Sequence, residues 1–486
     1  MTHLSVATLN QASSSVQTPA YDRNGVTVGI VHLGIGAFHR AHLAAYVDDG
    51  LADDPSWGIC GVSLRSATTK TALAPQDGLY TLGVQSSDGL SPRILAAVSE
   101  LLVAPDEPKT LDQRLADPNV RIVSLTVTEK GYCHDPATGR LNADHPDIQH
   151  DLTGDGYPKS AIGWLVRGVL ARKAAGVPPF TILSCDNLPS NGATLKQVLA
   201  DFVALKAPTD ATWFEAEVAC PSSMVDRIVP ATSDEDRTAI NQALGLDDAW
   251  PVMSEPFSQF VVEDHFPLGR PNWEKRGVTM ASDVEPFERM KLRMLNGSHS
   301  TLAYLGYLAG DETVADTMAD PAFKSLIGAM MSEEIMPTLA MPDGVDLLAY
   351  RDALLERFSN TALKHRTWQI AMDGSQKLPQ RLLGAISDRL ADGKPFDRLA
   401  LGVAAWMRYA LGEDEQGAPI DVRDPMADAF KQIDAGTADS TVRQFLALEP
   451  VFGTALPTNA TFVDTVRAKL DQLQSLGARG TIKANA

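Results

Sequence analysis

The sequence predicts an α/β chain, with a doubly wound, mainly parallel sheet over residues 1–285 and a mainly α-helical domain over residues 286–486. Three observations carry that reading. Short β-branched runs alternate with helix-like runs through the first part of the chain, the pattern of a parallel sheet covered by helices on both faces. From about Glu285 onward the strand signals stop and the chain is helix-like throughout. The length, 486 residues, suits two or three domains at about 150 residues each.

Residues 26–33, VTVGIVHL, form a β-branched run bounded by Gly25 and Gly34 and read as a buried strand. Residues 37–51 hold no Pro, and no Gly before Gly50, and read as one helix. Residues 57–64, WGICGVSL, are a second strand, residues 120–128, VRIVSLTVT, a third, and residues 179–184, PFTILS, a fourth that follows the helix-like AIGWLVRGVLARKAAG. Beyond residue 285 the helix-like segments are FERMKLRMLNGSHSTLAYLGYLAG, FKSLIGAMMSEEIMPTL, PQRLLGAISDRLADG and DRLALGVAAWMRYALG, cut into short units by Gly310, Pro337, Gly374 and Gly393.

Forty-two Lys and Arg against sixty-one Asp and Glu give a net charge of −19. A field of that sign repels nucleic acid and anionic lipid, so neither is an expected partner. An anionic substrate needs cations supplied locally in the cleft, so the placement of individual Lys and Arg residues matters more than the total. Cys60, Cys133, Cys185 and Cys220 are scattered, with no C-x-x-C and no Cys/His spacing that would suit zinc, so no metal site is expected. Sparse unpaired thiols suit a reducing compartment. The first twenty residues lack the charged start and apolar run of a signal peptide, and no apolar stretch approaches the ~20 residues of a membrane span, so a cytoplasmic protein is expected.

The first strand runs into Gly34-Ile35-Gly36-Ala37-Phe38-His39-Arg40. A Rossmann-type dinucleotide fold uses its first glycine for the tight turn and its second to admit the pyrophosphate to the backbone, in front of a helix N-terminus. Gly34, Gly36, Ala37, Phe38 and His39 are therefore the candidate cofactor contacts, with His39 standing where a third glycine is usual. The second strand ends in Ser63-Leu64-Arg65-Ser66, without the acid that normally takes the adenine ribose hydroxyls. Arg65 either stacks on adenine, meets a 2′-phosphate or is a solvated loop residue, so NAD(H) is expected and NADP(H) stays open.

Two segments look like chemistry. Ser184-Cys185-Asp186-Asn187-Leu188-Pro189-Ser190-Asn191-Gly192 lies at the carboxyl end of a predicted strand, where open α/β sheets place ligands. Lys291-Leu292-Arg293-Met294-Leu295-Asn296-Gly297-Ser298-His299 lies inside an apolar helical stretch. Oxidising an alcohol by hydride transfer needs a base for the hydroxyl proton and donors for the developing alkoxide. A lysine with a depressed pKa can be the base and two carboxamides the donors. On an ideal α-helix, Lys291 and His299 sit about 80° apart around the axis and about 12 Å along it, while Asn296 points about 140° away from Lys291 unless the Asn-Gly pair distorts the turn. A lone helical Lys is usually solvated, a His among apolar residues is usually a satisfied core group, and Asn187 or Asn191 could equally cap a helix, so spacing alone does not decide.

The ordered series GIVHLGIGAFHRAH, SLTVTEKGYC, SCDNLPSNG, MVDRIVPAT, EPFSQFVVEDHFPLGRPNW, KLRMLNGSHS and HRTWQIAMDGSQKLPQR, spread over nearly the whole chain, resembles the polyol-specific long-chain dehydrogenases, the family of mannitol and arabinitol dehydrogenases and fructuronate reductase. The resemblance implies an N-terminal Rossmann-type NAD(P) domain, a helical C-terminal domain, zinc-independent catalysis at a site between the two, and a small polyol or sugar-acid substrate. By position it makes Lys291 the general acid/base, Asn187 and Asn296 the alkoxide-binding pair, His299 a substrate-orienting partner and Glu129 the acid that gates proton passage to solvent. It makes Asp226 and Lys377 substrate contacts. Mannitol-type members carry an arginine four residues before the Asp of DGS, where this chain has Gln369. That departure, with TEKGYC and WMRYALGEDEQG, is similar to the fructuronate reductase branch, which interconverts D-mannonate and D-fructuronate; a polyol 2-dehydrogenase is the alternative. A sugar-acid carboxylate calls for a cation, and Arg366, Lys130 and Lys377 are the candidates. Family members include monomers, and a monomer is expected.

Overall fold

Alternation along Val28–Leu33 (β1) decides the architecture of the first part of the chain: Val31 and Leu33 enter one hydrophobic layer and Ile30 the other. A strand buried on both faces has to be a central one. The computed structural model, which describes all 486 residues except 136, 137, 155 and 363, puts it there. With Gly58–Ser63 (β2), Val98–Val103 (β5), Ile122–Leu125 (β6) and Thr181–Ser184 (β7), β1 forms a five-stranded parallel sheet in the order β5-β2-β1-β6-β7. The chain winds outward from β1 to β2 and later crosses to β6 and β7, so the winding reverses between β1 and β6. The crevice beyond their carboxyl ends is the ligand position of such a sheet. One layer holds Val31, Val62, Val123 and Ile182 under the helices that contribute Leu165, Val169, Leu195 and Leu199. The other holds Ile30, Ile59, Ile122 and Leu183 with Val47, Tyr80, Phe260 and Trp273. Each fully buried Val, Leu or Ile contributes roughly 1.5–3 kcal/mol.

The four strands expected from the sequence are β1, β2, β6 and β7, each a few residues shorter than its apolar run. The fifth, β5, follows Gly89–Leu95 (β4) after only Ala96 and Ala97, so no Gly or Pro separates the two and the run does not read as two strands. Tyr80–Ser86 (β3) pairs antiparallel with β4 and parallel with Val252–Ser254 (β9). Ser223–Asp226 (β8), Gln259–Glu263 (β10) and Thr279–Ala281 (β11) make a second small sheet. The helix expected over residues 37–51 is broken into Ala37–Ala41 and Leu43–Gly50 by His42, at φ −115° and ψ −92°. No Gly or Pro causes the break. The His42 ring stacks on Phe38 at 5.1 Å and its Nε2 bonds the carbonyl of Gln259, so tertiary contacts override propensity.

The chain divides into two compact units, Met1–Glu285 and Pro286–Ala486. The second consists of helices. Its centre is Gly297–Leu308, buried nearly all round as a helix surrounded by others must be, against Thr367–Ala371, Asp397–Ala410 and the C-terminal Ala460–Asn485. Gly310 and Gly393 end helices in the left-handed conformation, whereas Gly374 begins one. Among the described residues no helix is long and apolar enough to cross a membrane.

Candidate active site

In the first unit, β1 ends at Gly34, whose φ is +90°, a value that costs glycine little and other residues much. A side chain there would also collide with the Thr126 carbonyl after β6, the Cβ falling 2.2 Å from its oxygen. Gly36 donates its N–H to the Gly34 carbonyl at 2.6 Å, and a Cβ on Gly36 would meet nothing nearer than 3.8 Å. A tight turn followed by an open flank, at the switch point of the sheet, fits a dinucleotide pyrophosphate. Ala37 and Phe38 open the next helix. His39 departs from expectation: its ring is fully buried and stacks on His32 of β1 at 3.4 Å and 12°. Its ring packs between helix and strand at the position where a third glycine is usual, so a cofactor contact at residue 39 falls to the backbone and not to the buried ring. Burial drives both histidines to the neutral form, His32 down to about 3 and His39 well below its usual value. Arg65 is exposed, close enough to Cys133 for its charge to be felt there.

The carboxyl ends of β6 and β7 are tied together by Asp186. Its carboxylate accepts the N–H groups of Val127 and Thr128, both at 3.0 Å, and the Tyr132 hydroxyl at 2.8 Å. Burial pushes the Asp186 carboxyl up, and the nearby Glu129 charge adds to this while the three donors oppose it. Asp186 thus fixes the short Thr128–Gly131 helix, which carries Glu129 and Lys130, beside the loop that carries Asn187; all three of these side chains are exposed. Asn191 is no helix cap: its carboxamide donates to the carbonyls of Asp186 and Ser223 and accepts the Ser223 N–H, which pins the loop to β8. Asp226, at the end of β8, is buried. Of the five described non-glycine residues with positive φ, Thr128, Cys133 and Ser190 flank these loops and Asp373 opens the DGS turn. Strain of this kind collects at functional sites.

In the second unit, the expected α-helix through Lys291 is not one. Residues Lys291–Asn296 form a π-helix, closed by the Gly297 N–H on the Leu292 carbonyl five residues back. An i→i+5 turn takes more residues per circuit than the 3.6 of an α-helix, so residues five apart come nearer to one face. The α-helical expectation that Asn296 points away from Lys291 is therefore corrected: the widened turn brings the two positions toward one face. Gly297 makes the turn possible, because a Cβ there would lie 2.7 Å from the carbonyl of Arg381 on a second π segment, Pro379–Leu383. Lys291 is 8% exposed and His299, about two turns on, is 8% exposed. Burial holds His299 well below its usual pKa, with His365, Arg357 and Arg381 pushing the same way, so its imidazole is neutral. Its ring meets Phe358 at 4.6 Å and His365 edge-on at 5.2 Å.

The three candidate carboxylate clamps fare differently. Lys377 donates to the carbonyls of Met372 at 2.5 Å and Ile370 at 3.3 Å, closing the end of the Thr367–Ala371 helix. Burial and the Arg381 charge lower its pKa. Arg366 meets Glu312 at 3.7 Å in an exposed ion pair, the arrangement of a surface charge. Lys130 is exposed on the first unit. The sequence reading passed over Asp186, His365 and Arg381, although each lies inside a quoted motif; adjacency to Asn187, Arg366 and Lys377 was the available signal.

The family model described as the mannitol dehydrogenase Rossmann domain matches residues 28–275, and that of the mannitol dehydrogenase C-terminal domain matches residues 283–474. The chain is 46% identical to the D-mannonate oxidoreductase of Escherichia coli, over 99% of this chain and 100% of that protein. It is 41% identical to the mannitol 2-dehydrogenase of Pyrenophora tritici-repentis, over 97% of this chain and 84% of the relative. Among solved structures it is similar to Pseudomonas fluorescens mannitol 2-dehydrogenase in ternary complex with NAD and D-mannitol, with a TM-score of 0.83, 41% identity and 99% of each chain covered. With turn, loops and helical core all inside the two matched regions, the chain belongs to the mannitol dehydrogenase family.

Proposed function

We propose that this protein is a zinc-independent secondary-alcohol dehydrogenase that interconverts D-mannonate and D-fructuronate with NAD(H). The observation that supports the reading is the π turn, whose widened backbone brings the buried Lys291 and Asn296 toward one face. The 46% identity to a D-mannonate oxidoreductase supports the choice of a sugar acid. Gly34, Gly36 and the backbone of residues 37–39 would hold the dinucleotide, whose bound nicotinamide supplies the hydride acceptor. NAD is preferred because a relative of known structure binds NAD, whereas NADP would need Arg65 at its 2′-phosphate.

In the oxidation direction, Lys291 as a free amine takes the proton of the reacting hydroxyl. The carboxamides of Asn187 and Asn296 donate to the alkoxide as it forms, a kind of stabilisation worth about 10²–10³ in turnover per donor. Neutral His299 orients a neighbouring substrate hydroxyl, and Asp226 accepts from another. Glu129, exposed beside Asp186, passes the proton from Lys291 to water. The free thiols of all four cysteines suit a reducing cytoplasm. The test follows NADH absorbance with D-mannonate, D-fructuronate, D-mannitol and D-arabinitol, with NAD(H) and NADP(H) each. The reading predicts kcat/KM highest for the mannonate and fructuronate pair with NAD(H); highest activity on mannitol or arabinitol would overturn the substrate assignment.

A further inference from the structure

We propose that Arg381 recognises the carboxylate of a sugar-acid substrate and so sets the preference of this chain for the acid over the polyol. The inference deepens the sugar-acid reading above and rests on its placing Asn296 and His299 at the substrate.

Arg381 sits on the Pro379–Leu383 π segment, packed against the π turn of Lys291 and Asn296. Its Nη1 donates to the Ser300 hydroxyl at 3.0 Å and to the Asn296 carbonyl at 3.5 Å. Those contacts fix the plane of the guanidinium, while Nε and Nη2 make no hydrogen bond to any described residue. These two nitrogens form the fork that takes both oxygens of a carboxylate. Arg381 is half-buried, and a guanidinium drawn out of solvent ordinarily has an acid beside it. Elsewhere in the same unit Arg293 has Asp388, Arg398 has Glu333 and Glu334, and Arg479 has Asp311, while Arg389 bonds the Pro395 carbonyl instead. Among the described residues Arg381 has none: Tyr304 is the one group that acts on it favourably, and burial lowers its pKa. Its charge lowers the pKa of both His299 and Lys377, so it lies close to each; His299 is neutral and Lys377 has Asp373 and Asp424 near it, which leaves the Arg381 guanidinium as the cation without an acid beside it among the described residues. In a chain with a net charge of −19, such a half-buried cation lacks a counter-ion that an anionic substrate would provide. The other basic side chains are less suited, since Lys377 is bonded to two carbonyls and Arg366 faces solvent.

The test is binding without turnover. Wild type, Arg381→Met and Arg381→Lys, each saturated with NADH so that no oxidation can occur, are titrated with D-mannonate and with D-mannitol by quenching of NADH fluorescence. Losing a charged hydrogen-bonding pair should raise the mannonate Kd about 10- to 150-fold in Arg381→Met. The rise for mannitol should be at least tenfold smaller. Arg381→Lys, which keeps the charge without the fork, should fall between. A mannonate Kd within threefold of wild type, or equal weakening of both ligands, would overturn the proposal, the second result marking Arg381 as a support for the π turn only. Wild type that binds mannonate without oxidising it in the presence of NAD would sink the functional reading and leave this one standing. Wild type that does not bind mannonate at all would sink both.

Discussion

Asn296 shows how much a single residue depends on its local backbone. In the proposed mechanism its side chain serves an alkoxide next to Lys291, a placement that depends on the helix widening there. Asn296→Ala should lower kcat by about 10²–10³ with KM changing far less, since the donor acts on charge that appears only in the transition state. Steady-state kinetics on D-mannonate decide this, and a loss confined to KM would move Asn296 from catalysis to plain binding. Lys291, Asn187 and Asn296 were legible as candidates because amides and a lysine in ordered motifs are unusual in an apolar helix and at a strand end. Arg381 was not, since nothing in KLPQR separates a half-buried arginine from a solvated one. The role proposed for it rests on partial burial without an acid among the described residues, a property of the packed structure. For Arg366 the converse holds: the motif drew attention to a side chain that the fold leaves exposed in an ion pair with Glu312.

At the scale of the element, the π turn at Lys291–Asn296 and its neighbour at Pro379–Leu383 are supported by the close approach of their backbones at Gly297. Gly297→Ala places a Cβ 2.7 Å from the Arg381 carbonyl, so the two segments must separate. We expect about 1–3 kcal/mol of lost stability in urea unfolding, together with a fall in kcat larger than the loss of stability alone explains. Unchanged kcat would mean that the widened turn does not align Lys291 with Asn296 in the working enzyme. The Asn-Gly pair marks this site in the sequence as irregular, but no periodicity reveals that the next helix must pass so near. The sheet follows the same logic. Strands β1, β2, β6 and β7 were readable from β-branched runs with clear ends, whereas β5 merged with β4 across two alanines. The break at His42 depends on Phe38 and Gln259, the second more than two hundred residues away.

For the whole molecule, several histidines are held neutral in the interior. His32 is lowered to about 3, and His39 and His299 well below their usual value, in each case mainly by burial. The unfolded chain binds protons at these positions from about pH 6.5 downward while the folded chain does not, so stability is full above 6.5 and falls as pH drops through the window from 6.5 toward 3. Buried carboxylates such as Asp48 and Asp248, pushed up by burial, act in the opposite sense, favouring the fold as pH falls toward their raised values. Urea unfolding of wild type and His39→Phe at pH 7.5 and 5.5 isolates the histidine contribution. The variant keeps a ring on His32 and should lose visibly less stability on acidification; parallel losses would show that His39 is already protonated in the fold. The division into a sheet-bearing and a helical part was evident from where the β-branched runs cease near residue 285, because that change is written in composition and period.

The account stands most directly on Lys291, and chemical rescue tests it. Lys291→Ala should lower kcat for D-mannonate oxidation by about 10²–10⁴ while the Kd for NADH stays within twofold, and added methylamine should restore part of the rate in proportion to its unprotonated fraction. Near-normal turnover without amine would contradict the account, as would a lost rate that no amine restores while NADH and mannonate still bind.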